Sequence, residues 1–192
     1  MMAIVIVLLD QLTKLWVLGT FEPFEVVTVL PVFNLTLVFN EGAAFSFLAD
    51  AGGWQRYVFL LISAVMSVVF VIWLTRVKAH EVWLANGLTL LLGGAVGNLI
   101  DRLWLGKVID FLQWHWNEAY FPAFNLADAA ITLGVIFYSG IALKPQQKSA
   151  EPATSPSHSL YNVLFALSAV RATYPWLTQC EIIRPRLRRN DR

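Results

Sequence analysis

Four long apolar runs constrain this chain more than anything else in its sequence. Ala3 to Gly19, Tyr57 to Leu74, Val82 to Ile100 and Phe124 to Leu143 each approach the ~20 apolar residues a helix needs to cross a hydrocarbon core. In lipid a segment must satisfy its own backbone polar groups, so such runs fold as helices packed on one another. Composition agrees, with 57% of the residues hydrophobic and only 14% charged. An ordinary soluble domain is about a quarter charged. The expected fold is an all-α membrane protein, a four-transmembrane-helix bundle.

The first run is short and holds Asp10 and Lys14. It has no basic segment before it and no convincing small-x-small cleavage site, so it reads as a retained span rather than a signal peptide. Orientation follows from Lys and Arg in the connections. Thr20 to Gln55 contains neither, while Arg76 and Lys78 follow span two and Lys144 and Lys148 follow span four. Both termini are therefore expected in the cytoplasm, with the Thr20–Gln55 and Asp101–Ala123 connections outside. Within the first of these, Val26 to Leu30, Phe33 to Phe39 and Ala44 to Leu48 are rich in β-branched and aromatic residues, punctuated by Pro31, Asn40 and Gly42. They predict a small β-element at the outer interface.

Polar residues recur along the spans at helical spacing. Gly94, Asn98 and Asp101 follow i, i+4, i+7 on span three, and Gly93 and Gly97 form a small-xxx-small pair that lets another helix approach. Asn125, Asp128 and Thr132 share a face of span four. Asp10 and Lys14 stand at i, i+4, acid before base, as a helical ion pair prefers. Two readings stand for several of these. Asp10 and Lys14 are either an ion pair fixing span one or part of the chemistry. Asn98 and Asn125 either glue helices together or bind substrate. Asp101-Arg102 reads as an interfacial pair anchoring span three, and His115, between Trp114 and Trp116, as an interfacial belt residue.

Two carboxylates stand apart. Asp128 lies about four residues into span four, roughly 6 Å along its axis, with no basic residue near it in sequence. An ionisable group at that depth costs several kcal/mol and by default marks a functional site. Asp110, in Gly106-Lys107-Val108-Ile109-Asp110-Phe111, is by itself an ordinary loop acid, but topology puts it on the same side of the membrane.

These residues fall in strings with a pattern of their own. Asp10-Gln11-Leu12-Thr13-Lys14, Asn40-Glu41-Gly42-Ala43-Ala44-Phe45, Gly97-Asn98-Leu99-Ile100-Asp101-Arg102, Val108-Ile109-Asp110-Phe111 and Phe124-Asn125-Leu126-Ala127-Asp128 occur in that order. Together they resemble the bacterial lipoprotein signal peptidase family, also called signal peptidase II, over about Leu8 to Leu143. The resemblance implies a membrane aspartic endopeptidase that removes signal peptides from prolipoproteins by cutting before a diacylglyceryl-modified cysteine. It implies Asp110 and Asp128 as the catalytic dyad, with Asn98, Arg102, Asn125, Asn40, Asp10 and Lys14 as substrate-binding or supporting positions. It implies residence in the bacterial cytoplasmic membrane; phospholipid is an expected partner, and the chain is expected to act as a monomer.

The chemistry suits such a pair. Hydrolysing an amide needs an activated water and a proton for the departing nitrogen, and two close carboxylates sharing one proton provide both. No cofactor is expected: HExxH is absent, and Cys180 is the lone cysteine. The net charge of +1 points to no nucleic-acid partner. A channel or proton-coupled carrier, the rival class, predicts acids spread through the membrane's depth, whereas Asp101, Asp110 and Asp128 gather at the outer side. The outer β-element and the Trp114–Trp116 loop are expected to cover the bound substrate. Residues 1–145 are expected to form the peptidase domain, and 146–192 a cytoplasmic tail with a Ser/Pro/Ala-rich linker and a basic end, disordered or only partly ordered.

Overall fold

The computed structural model describes residues 1–41 and 53–142. The expected strand at Ala44 to Leu48 and the tail lie outside the described residues.

The first helix buries polarity and exposes hydrocarbon. α1 (Met2–Thr20) buries Asp10, Lys14 and Val17, whereas Leu8, Leu9, Leu12 and Leu15 stand at least half exposed. That inversion of a soluble helix is what lipid demands, since apolar side chains lose nothing there and polar ones must find partners inside. α2 (Gln55–Leu74) repeats it, burying Gln55, Ser63, Ser67 and Phe70 along one face. α3 (Val82–Trp104) is the central helix and packs against α1, α2 and α4 (Leu126–Ala142). α1, α2 and α3 are long and apolar enough to cross a membrane, and α4 is apolar but shorter, at 17 residues.

Glycines on α3 bring its neighbours close. A Cβ on Gly97 would sit 2.7 Å from Asp10 Oδ2 of α1, and one on Gly94 would run into the Ala127 carbonyl and lie 2.6 Å from Ile131 Cγ1 of α4. The expected Gly93–Gly97 pair therefore faces α1, where Ile6 covers Gly93, and Gly94 serves α4 separately.

At the Thr20 end of α1 sits a four-stranded antiparallel sheet ordered β1 (Val26–Leu30), β2 (Phe33–Asn40), β3 (Val108–Trp116) and β4 (Ala119–Tyr120). The first two strands fall where residue type placed them. β3 corrects two expectations: Asp110 and the Trp114–Trp116 stretch lie on a strand, not in a loop. Gly106, with φ +74, closes α3 in the left-handed conformation that glycine adopts freely, and the chain turns straight into β3. β2 pairs with β3 through Val38↔Asp110 and Asn40↔Val108, after an irregularity between Leu35 and Val38. Val17, Leu37, Ile109 and Phe111 form the buried cluster joining the sheet to α1. Beyond β3, the Phe124 carbonyl accepts the Phe111 and Leu112 amides at 3.0 and 2.8 Å, which seats the start of α4 beside Asp110.

Candidate functional site

α4 begins with a reciprocal cap. Asn125 is its N-cap, and its side-chain oxygen accepts the Asp128 amide at 2.9 Å. Asp128 Oδ2 in return accepts the Asn125 amide at 3.2 Å. This is a capping box with Asp in the Glu/Gln place, legible as Asn-x-x-Asp, and it fixes the Asp128 side chain on the helix's first turn. Its other oxygen accepts Asn98 Nδ2 of α3 at 2.8 Å.

Asp110 is held from the sheet. Its Oδ2 accepts Asn40 Nδ2 of β2 at 3.0 Å and its Oδ1 accepts Asn125 Nδ2 at 2.7 Å. Asn125 therefore touches both acids, and its amide also reaches the Ile109 carbonyl at 3.1 Å and Asn98 Oδ1 at 3.2 Å. Asp110 is 2% exposed and Asp128 6%. Burial, and then the neighbouring charge of Asp128, push the Asp110 carboxyl well above the usual carboxylate range, against hydrogen bonds from Asn40 and Asn125 and the charge of Lys14. The two acids therefore lie within electrostatic reach of each other.

Behind the pair lies a charged cluster. Lys14 Nζ is 2.8 Å from Asp10 Oδ2, 2.8 Å from Asp101 Oδ2 and 3.0 Å from Asn98 Oδ1. The Asp10–Lys14 ion pair of the sequence is present and reaches the site through Asn98. The expected Asp101–Arg102 pair is not formed. Adjacent helix residues point about 100° apart, so Asp101 faces α1 while Arg102 faces α2. There Arg102 Nη1 donates to Ser63 Oγ at 3.1 Å and to the Asn98 carbonyl at 3.4 Å, with Phe59 beside the guanidinium.

All eight residues singled out in the sequence thus converge on one end of the bundle. Sequence reasoning missed Ser63 and Gln11, whose amide donates to Asp101 Oδ1 at 2.9 Å and to Asp10 Oδ2 at 3.2 Å. Gln11 lay in a quoted string without a role, and Ser63 carried only its spacing, with Ser67, along α2. Thr132 turns its hydroxyl to the Asp128 carbonyl at 2.9 Å and stays out of the cluster. His115 stacks on Tyr120. Among the described residues no group of three or more His, Cys, Asp or Glu side chains is placed to hold a metal ion.

Apolar helices closing on a buried carboxylate pair define a class: a membrane protein with two buried acids held by side-chain amides. Comparison gives the family. The family model described as signal peptidase (SPase) II matches residues 2–143, and the chain belongs to that family of peptidases. It is 54% identical over 133 residues to a lipoprotein signal peptidase of Shewanella amazonensis, covering 69% of this chain and 79% of that one. It is 49% identical over 152 residues to the lipoprotein signal peptidase of Pseudomonas aeruginosa strain UCBPP-PA14, covering 78% and 89%. A solved bacterial membrane enzyme at 2.3 Å resolution superposes with TM-score 0.68 and 30% identity, over 80% of this chain and 92% of that one.

Proposed function

We propose that this peptidase removes the signal peptide from diacylglyceryl-modified prolipoproteins, cutting before the lipidated cysteine, with Asp110 and Asp128 as its catalytic dyad. The observation that carries the assignment is Asn125, hydrogen-bonded at once to Asp110 and across the capping box to Asp128. With one proton on the pair, the ionised acid takes a proton from water, and the protonated acid polarises the scissile carbonyl and then protonates the departing nitrogen. Their titrations belong to the pair, so neither carboxylate carries a fixed acid or base role. Asn40 and Asn98 orient the two acids from opposite sides. Arg102, anchored by one nitrogen on Ser63, keeps N–H groups for a substrate carbonyl or lipid headgroup.

The depth of the pair fits the substrate. Four crossings, with α4 the fourth and both termini cytoplasmic, put the dyad near the outer face of the bacterial cytoplasmic membrane, where lipid holds a diacylglyceryl cysteine. The Lys and Arg distribution supports that orientation. The reading takes the chain as a monomer in phospholipid, with residues 1–145 as the peptidase domain, in line with the family match over residues 2–143, and 146–192 as a tail. Purified protein in lipid, given matched peptides with and without the diacylglyceryl group, tests the reading by product mass. Cleavage immediately before the cysteine of the lipidated peptide alone is expected. Equal cleavage of both, or a cut elsewhere, would refute it.

A further inference from the structure

The charged cluster behind the dyad does more than neutralise itself. Asp10 Oδ1 accepts the Ala127 amide at 2.9 Å, one residue before Asp128. Asp101 Oδ2 accepts the Ile109 amide at 3.2 Å, one residue before Asp110. Lys14 Nζ bridges the two acids, and the Gln11 amide bridges them again. Ala127 is the second residue of α4, where an N–H has no partner inside the helix, so its bond to Asp10 meets a need the helix cannot. An ion pair that only fixed α1 would require one acid. Here there are two, and each holds the backbone of a different dyad element.

We propose that Asp10, Lys14 and Asp101 are positioning residues: a clamp, built from α1 and α3, that sets the spacing of Asp110 and Asp128 by gripping the peptide group before each. The proposal rests on the dyad reading above. Lys14 adds a side-chain grip, through its bond to Asn98 Oδ1, which turns the Asn98 amide nitrogen toward Asp128. Dyad acids misplaced by about 1 Å lose on the order of 10²-fold in rate while substrate binding persists.

The test is steady-state kinetics of the full chain in lipid with a diacylglyceryl-modified peptide, comparing Asp10→Ala, Asp10→Asn, Asp101→Ala and Asp101→Asn, with Asp110→Asn as reference. The Ala variants should lose about 10- to 100-fold in kcat with KM little changed. Asp101→Asn keeps one oxygen for both the Ile109 amide and Lys14 and should recover most of that loss, whereas Asp10→Asn keeps an oxygen for the Ala127 amide but turns its NH2 toward Lys14 and should recover only part. Equal losses in Asn and Ala variants, or folded Ala variants with parental kcat, would overturn the clamp while leaving the dyad standing. An active Asp110→Asn would overturn the dyad and the clamp with it. Should the Ala variants fail to fold, amide exchange in the parent protein decides: the Ala127 and Ile109 amides are expected to be protected, and rapid exchange at either overturns the proposal.

Discussion

Asn125→Ala removes the side chain on which the site is assembled. Its Oδ1 caps the Asp128 amide, and loss of an N-cap costs about 1 kcal/mol. Its Nδ2 serves Asp110, the Ile109 carbonyl and Asn98 Oδ1, all buried. Asn98 keeps Lys14 as a donor and Asp110 keeps Asn40, so the exposed deficit is close to one unsatisfied acceptor on each of Asp110 and Ile109, at about 1–3 kcal/mol apiece. The substitution should therefore destabilise the protein by roughly 3–7 kcal/mol, less wherever water enters the gap. Activity should fall further than stability implies, by about 10²-fold in kcat for the folded fraction, because both acids lose their common reference. Thermal unfolding in lipid or detergent reads the first effect, and single-turnover cleavage of a lipidated peptide reads the second. A companion, Asn125→Asp, keeps the cap oxygen and places a third carboxyl beside the dyad, so it should retain more stability and no more activity. An Asn125→Ala protein within about threefold of parental kcat would refute the reasoning, since that loss is under 1 kcal/mol of transition-state stabilisation.

Three further outcomes follow from the geometry. Asp110 has its pKa raised by folding, so its contribution to stability is fully present below the ordinary carboxylate value of about 4 and is lost as pH rises towards the folded value. Asp110→Asn should accordingly be inactive yet gain stability relative to the parent as pH rises from that value, and unfolding at a series of pH values would show a constant difference if this were wrong. Gly94→Ala puts a methyl group against the Ala127 carbonyl and Ile131, so it should cost about 1–3 kcal/mol and reduce cleavage by moving the first turn of α4, whereas Gly19→Ala, which meets nothing within 4 Å, should match the parent in both assays. Ser63→Ala frees Arg102 Nη1 from its anchor on α2 and should cost about 1 kcal/mol, read as a rise in KM with kcat little changed.

Local rules carried the sequence reading well where a residue's partners lie within a few positions. Apolar length located all four helices to within four residues at either end, and β-branched runs located β1 and β2. The i, i+3 spacing of Asn125 and Asp128 placed them on one face of span four; the capping box they close within that turn was not read from it, though it is equally local. Asp110 illustrates the opposite case. Its strand pairs with β2 some 70 residues away, through Val38 and Asn40, and no local pattern specifies that register. Without it, Asp110 reads as a solvated loop acid; with it, the residue is buried. Asp101 shows a second gap. Adjacency to Arg102 suggested an ion pair, but helical geometry turns the two to different neighbours, and the true partner, Lys14, is 87 positions away. Ser63 was hidden for the same reason, since an isolated serine on an apolar helix declares a role only once the opposing helix is known. The motif order linked these distant residues as a resemblance, and the structure supplies the contacts.

The most direct measurement is cleavage of a diacylglyceryl-modified prolipoprotein peptide by Asp110→Asn and by Asp128→Asn, each shown to be folded by its unfolding transition. Both substitutions keep shape and remove the shared proton, each giving up one accepted hydrogen bond because both oxygens of either acid face donors. Loss of turnover in each, with the parent active beside them, is the predicted result. Near-parental turnover by either folded variant would contradict the dyad.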